Sequence, residues 1–272
     1  MHKWNNKQIL ITGAGSGIGQ ALARLFANLG AKLILTDINQ QSLNDTTNEL
    51  IHAVSLSRVA DVSHKQDWQA LAKSIEKDVG YLDVLINNAG MTSFGFFEDT
   101  SEALFNKVMD INFNGVVMGC REMLPLLEKA ERGLIVNVAS IFGLITMPMV
   151  TPYHASKFAV RGFTEALRQD MLFQKKTIDV VCVMPGGIRT NIANSAESEI
   201  AQPNDFAQHF AAVARTTPEQ AAKVIEKGMR KNTFRILIGA DAKIVDLLYK
   251  VLPTDYYKVS NVMLGVKKFL GA

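Results

Sequence analysis

Apolar residues along this chain fall into short unbroken blocks, separated by longer stretches in which they recur every three or four positions. The first block, Gln8-Ile9-Leu10-Ile11-Thr12, stops at a glycine and reads as a buried strand. Over residues 18–29, Ala21, Leu22, Leu25 and Phe26 follow helical spacing, and Gly30 closes the segment. Lys32–Asp37 reads as a second strand, followed by a helix over 41–50, a strand over 57–60, a helix over 65–79 and a strand over 84–86. Further on, the pattern predicts a long helical region over 101–129, a strand over 133–138, a helix over 153–173, a strand over 178–183 and a last strand over 235–238. Strands that are apolar almost throughout, each separated from the next by a helix, imply a parallel sheet covered on both faces. Right-handed crossovers make that an α/β, doubly wound fold.

No linker rich in Pro, Gly or Ser interrupts the pattern, and no repeat is visible, so residues 1–240 read as one domain. Two segments stand outside the alternation. The polar stretch 191–217, which contains Asp205, Phe206 and Phe210, reads as a lid over a substrate. The stretch 241–272 reads as a helical tail packed on the same domain or on a partner subunit. Segments 244–252 and 259–270 of that tail set Leu247, Leu248, Tyr249, Val251, Leu252, Val262, Met263 and Leu264 among Lys250, Lys258, Lys267 and Lys268. Such a basic amphipathic tail either lies on a membrane surface or covers protein, and covering protein is favoured.

Composition narrows the class. With 48% hydrophobic and 20% charged residues, the 272-residue chain can bury a sizeable core and is not disordered. The net charge of +3 is spread along the chain, which removes the main argument for a nucleic-acid partner. Two cysteines, Cys120 and Cys182, build neither a disulfide framework nor a metal site and read as core fillers. No apolar run reaches eighteen residues and the polar start lacks a signal-peptide pattern, so a cytoplasmic protein is expected.

The chemistry concentrates at the ends of strands. Thr12-Gly13-Ala14-Gly15-Ser16-Gly17-Ile18-Gly19 joins the first strand to the first helix. Its glycines do not match GxGxxG. They still meet the physical need, since a turn free of Cβ atoms lets backbone N–H groups and a helix N-terminus approach a pyrophosphate. Asp37 ends the second strand, where a carboxylate accepts hydrogen bonds from an adenosine ribose and repels a 2′-phosphate. The lack of Arg or Lys in the turn and directly after Asp37 supports the same choice: NAD(H) is favoured, with NADP(H) left open. Asn87-Asn88-Ala89-Gly90 follows another strand, its asparagines suited to locking backbone groups and Gly90 to leaving room beside a planar ring. Asp61-Val62 either meets an adenine edge or forms an ordinary turn.

At the other end, Tyr153 and Lys157 lie one helical turn apart and can share a pocket. A tyrosine pKa of about 10 must fall by about three units to serve near neutrality, which needs roughly 4 kcal/mol of preferential stabilisation of the phenolate. A lysine cation shielded from water can supply such stabilisation, making Tyr153 an acid/base at an alcohol or carbonyl oxygen. Ser140, thirteen residues earlier, can orient that oxygen.

Together these residues resemble the short-chain dehydrogenase/reductase family in its single-domain, Rossmann-fold branch. The match runs through residues 12–19, Asp61, Asn87-Asn88-Ala89-Gly90, Asn112, Ser140, Tyr153, Lys157 and Pro185-Gly186-Gly187-Ile188-Arg189-Thr190, in the family's order and spacing. The resemblance implies a catalytic tetrad of Asn112, Ser140, Tyr153 and Lys157, with Asn112 positioning a water and Lys157 holding the nicotinamide ribose. It also implies cofactor contacts from Gly13, Ser16, Gly17, Ile18, Gly19, Asp37, Asp61, Val62, Asn88, Ala89 and Gly90. Tyr153, Lys157, Pro185, Gly186, Ile188 and Thr190 join that set. No metal is implied, and a homodimer or homotetramer paired through 113–129 and 153–173 is. Gly187 departs from many relatives and is expected to leave the substrate side roomier or the loop looser. The segments 91–94 and 141–150 carry no charge, so the implied reaction interconverts a secondary alcohol and a ketone, or an aldehyde, on an apolar substrate. The competing class is a non-catalytic dinucleotide-binding sensor or scaffold. Phe94, Phe96 and Phe97 either line a mouth or pack, Met147 and Met149 either pack or form a pocket wall, and His154 reads as a surface residue turned away from Tyr153.

Overall fold

The computed structural model describes residues 3–190, 192, 195–199 and 214–263; the side chains are described as far as residue 259. Most of the expected lid, with Asp205, Phe206 and Phe210, lies outside the described residues, as do Leu264, Lys267 and Lys268. Strands β1 (Gln8–Thr12), β2 (Lys32–Asp37), β3 (Val54–Val59), β4 (Val84–Asn87), β6 (Gly133–Val138), β7 (Ile178–Pro185) and β9 (Arg235–Ile238) form one seven-stranded parallel sheet in the order β3-β2-β1-β4-β6-β7-β9. Chain order reverses direction between β1 and β4, so the loops after those strands diverge and leave a crevice at their carboxyl ends.

Alternation along each strand sorts the core into two faces. Ile9, Ile11, Leu33 and Leu35 pack with Leu22 and Phe26 of α1 (Gly17–Asn28), Leu43 of α2 (Gln40–Glu49) and Ile225 of α7 (Pro218–Arg230). Leu10, Ile34, Leu85 and Ile135 face the other way. They meet Trp68 and Leu71 of α3 (Lys65–Asp78), Met123 of α5 (Gly115–Leu127), Val160 of α6 (Thr151–Phe173) and Val245 of α8 (Ala240–Val251). Removing one such side chain to Ala costs about 2–5 kcal/mol. Cys120 and Cys182 are buried among them, and burial pushes both thiols up to about 12.

Three differences from the sequence pattern have local causes. Strand β3 starts at Val54 rather than 57 because it is an edge strand, half exposed, and its polar alternation hides the first three residues. The region 101–129 is not one helix: α4 (Glu102–Met109) passes through a π-helical turn, Asp110–Asn114, before α5 begins. A two-stranded parallel ribbon pairs β5 (Ser93–Phe94) with β8 (Glu197–Ser198), tying the start of the lid region to the loop after β4. The last described helix is α9 (Tyr256–Met263).

Candidate active site

The turn after β1 folds as it does because few side chains would fit. Gly13 and Gly17 have φ of 65° and 53°, and a Cβ on Gly19 would strike the Gly13 carbonyl oxygen. Asn88 stitches the turn to the next loop: its Nδ2 donates to the Thr12 carbonyl (2.9 Å), while the Asn88 and Ala89 amides donate to Thr12 Oγ1 (2.9 Å each). Ser16 is the N-cap of α1, yet no side chain satisfies that helix end, and Ser16, Gly17 and Ile18 line the cavity. The unpaired N–H groups there are a ready anion cradle.

Asp37 braces the same turn, Oδ2 accepting from the Gly15 amide and Oδ1 from the Asn39 amide, both at 2.9 Å, and it lines the cavity as well. Asp61 accepts from the Ser63 amide (2.8 Å) and hydroxyl (2.6 Å), and Val62 holds the Trp68 indole N–H through its carbonyl (2.9 Å). Both reach the cavity wall, as do Gly13, Asn88, Ala89, Gly90, Pro185, Gly186, Ile188 and Thr190. Gly19 stays behind that wall. Gly90 faces Asn112 and Lys157: a Cβ there would come within 3.0 Å of Asn112 Oδ1 and 3.6 Å of Lys157 Nζ.

The cavity measures about 690 Å³ and ends against Ser140, Tyr153 and Lys157. Ser140 follows β6; its Oγ accepts from the Phe142 amide (3.1 Å), and it stands near enough to the Tyr153 phenol to favour the ionised form. Lys157 is buried, donates to the Val138 carbonyl (2.9 Å), and sets Nζ 5.6 Å from the centre of the Tyr153 ring. Asn112 does not line the cavity. It sits fully buried in the π turn, donating to the Met91 carbonyl (2.9 Å) and Ser156 Oγ (3.0 Å) and accepting from the Met91 amide (2.8 Å). A widened turn explains a polar residue that looks unfavourable in mid-helix: it lets the amide face its partners.

The electrostatics differ from the sequence expectation. Burial pushes the Tyr153 phenol up to about 12, with Ser140 pulling the other way, and burial lowers Lys157 to about 8. In the protein alone, desolvation outweighs the help that Ser140 gives the phenolate.

Other readings change as well. His154 is buried, not on the surface: the Met147 amide donates to Nε2 (2.9 Å), so Nδ1 carries the proton and donates to the Phe142 carbonyl (3.0 Å). The turn at Gly187 is not loose. The Gly187 amide donates to Asp241 Oδ2 (2.6 Å), and a Cβ on Gly187 would lie 3.1 Å from Ala214 Cα. Asp241, in the first turn of α8, also fills the space beside Gly186 and lines the cavity. Sequence reasoning missed it because it opens the tail; its signal is an acid two residues after the glycine that ends β9. Phe94 lines the cavity and packs with Met149 and Val150, whereas Phe96 and Phe97 are exposed and do not line it. Met147 and Met149 pack without forming cavity wall.

A parallel sheet with its crevice over a glycine turn, and a Ser–Tyr–Lys group lining the same cavity, define a Rossmann-type α/β fold. The short chain dehydrogenase family model matches residues 7–201, and the chain belongs to that family of oxidoreductases. It is 38% identical over 273 residues to SadH of Mycobacterium tuberculosis, covering 99% of this chain and 98% of that one. It is 36% identical over 189 residues to epidermal retinol dehydrogenase 2 of Mus musculus, covering 68% of this chain and 61% of the relative. The fold matches a short chain dehydrogenase/reductase from Burkholderia phymatum, solved in complex with NAD, with a TM-score of 0.85 and 30% identity, covering 92% and 95% of the two chains. No described helix is long and apolar enough to cross a membrane.

Proposed function

We propose that this oxidoreductase interconverts a secondary alcohol and a ketone, or an aldehyde, on an apolar substrate by hydride transfer with a nicotinamide dinucleotide. The observation that carries the reading is the grouping of Ser140, Tyr153 and Lys157 on the wall of one cavity that is also lined by a glycine-rich turn and by a helix N-terminus whose N-cap side chain makes no capping bond. The Burkholderia relative with NAD supports the same cofactor class. That cofactor supplies the hydride donor or acceptor.

The remaining chemistry belongs to the chain. Tyr153 keeps its proton in this dry pocket and donates it to the substrate oxygen during carbonyl reduction; Ser140 orients that oxygen. The Lys157 ammonium stabilises the phenolate left behind and holds a ribose, while Asn112 braces Met91 and Ser156 around it. For alcohol oxidation the phenolate is required, so the rate rises with pH. The glycine turn, braced by Asn88 and Ala89, would hold the pyrophosphate, Asp61 and Val62 would border the adenine, and Pro185, Gly186, Ile188 and Thr190 would flank the nicotinamide. Asp37 faces the ribose, which favours NAD(H) over NADP(H). No observation favours a non-catalytic sensor. We carry assembly into a dimer or tetramer through α5 and α6 as part of the proposal; a concentration-independent monomer in light scattering would refute it.

The test is Tyr153→Phe at saturating NADH against a panel of ketones and aldehydes. The ring still packs, so NADH binding persists while turnover falls by about 10²–10⁴-fold. Turnover within a few-fold of wild type, with NADH binding unchanged, removes Tyr153 from the mechanism.

A further inference from the structure

The chain between Ser140 and Val150 forms much of the apolar wall of the cavity, through Ile141, Phe142 and Val150. It is irregular beyond a single 3₁₀ turn, Ile141–Gly143, so its later backbone groups must find partners elsewhere. Two amides beyond that turn find side chains. The Met147 amide donates to His154 Nε2 (2.9 Å), and the same ring donates through Nδ1 to the Phe142 carbonyl (3.0 Å). The Thr146 amide donates to the Tyr256 hydroxyl (3.2 Å), which also shares a hydrogen bond with Thr146 Oγ1 (3.0 Å).

These two clips come from different places. His154 is buried in α6, directly after Tyr153, and meets Phe142 edge to face at 4.9 Å. Tyr256 comes from α9, at the far end of the C-terminal helices, and its ring lies 6.0 Å from that of Tyr249 in α8. Helix α8 also sends Ile244 and Val245 into the cavity. One wall is therefore clamped between the helix that bears Tyr153 and the helices that follow the sheet.

We propose that His154 and Tyr256 are positioning residues that fix the 140–150 wall and so select carbonyl substrates by size. This rests on the oxidoreductase reading above. Neither side chain lines the cavity. Each acts through the segment it holds, His154 also by packing on the Phe142 ring and Tyr256 also through Thr146 Oγ1.

The test uses Tyr256→Phe and His154→Phe in the full-length protein. The readouts are amide hydrogen exchange, steady-state kinetics on a graded series of apolar ketones, and NADH titration. Loss of one neutral hydrogen bond corresponds to about a three- to tenfold change. Tyr256→Phe is expected to speed exchange at Thr146 by that factor. It should raise KM for the bulkiest ketone similarly, and leave kcat for the smallest ketone and NADH affinity within about twofold. His154→Phe is expected to do the same at Met147 and to release the Phe142 carbonyl as well. If His154→Phe does not fold, His154→Asn and Tyr256→Phe carry the test. Unchanged exchange in the folded variants overturns the proposal, and so does faster exchange with an unchanged ranking of ketones. Exchange is read without turnover, so a wild type inactive on every ketone refutes the carbonyl reading while the clips are still measured.

Discussion

The proposed cofactor end of the cavity is shaped by a glycine-rich backbone turn, and the proposed substrate end by side chains that hold backbone. In residues 13–19 the working groups are N–H dipoles, and their geometry is enforced by the space that glycines leave empty and by Asn88 and Asp37 bracing the turn. Between Ser140 and Val150 backbone amides are held by His154 and Tyr256 from elsewhere in the chain, and the proposed proton chemistry rests on the half-buried Tyr153 and the buried Lys157. The first end therefore fails when an atom is added. The second fails when a polar atom is removed.

The largest expected effect on cofactor affinity is at the cofactor end. Gly19→Ala places a methyl group against the Gly13 carbonyl, and relieving that overlap must distort the turn. A strain of about 3 kcal/mol lowers NADH affinity by about 100-fold, measurable by fluorescence titration. An unchanged affinity would show that the turn is softer than the comparison requires.

Lys157→Met tests the substrate end through stability. The folded value of about 8 lies below the ordinary 10.5 because of burial, so below pH 8 the fold carries an unfavourable buried ammonium. That penalty is relieved as pH rises from about 8 to 10.5, where the unfolded chain binds more protons than the folded one. The variant should lose turnover yet gain about 1–2 kcal/mol of stability at pH 7, after allowing for the bond lost to Val138, and the gain should vanish near pH 10. Denaturant unfolding at both pH values reads this directly.

A smaller effect belongs to Asp37→Ala. It removes the carboxylate proposed to repel a 2′-phosphate and should narrow the preference for NADH over NADPH by about tenfold. Tighter binding of NADPH by the wild type would reverse the assignment. Smallest is Asp241→Asn, which weakens the acceptor for the Gly187 amide; NADH affinity should fall about three- to tenfold with little change in the KM of small ketones. An equal rise in both would erase the division between the two ends.

That division also explains what could be read in advance. Uniformly apolar parallel strands and a glycine-dense turn leave local marks, so the sheet, its helices and the placement of Gly13, Ser16, Asp37 and Asn88 were legible. Tyr153 and Lys157 were legible because helical spacing alone brings them together. His154, Tyr256 and Asp241 were not: their partners lie 7, 110 and 54 residues away and are backbone groups, which have no letter in a sequence. The phenol's raised pKa was missed for a related reason, since desolvation is a property of the assembled pocket.

The π turn at Asp110–Asn114 has a bearing on chain length. Each residue of an α-helix advances its face by about 100°, and the widened turn absorbs one extra residue without breaking the rod that α4 and α5 form. Deleting any one of those five residues would heal the turn into ordinary helix. The faces of α4 and α5 would keep their directions, with Leu104 and Val108 still in the core, while the local widening that turns Asn112 towards Met91 would be lost. A single-residue deletion elsewhere along the rod has no such slack and would rotate one side by about 100° against the other.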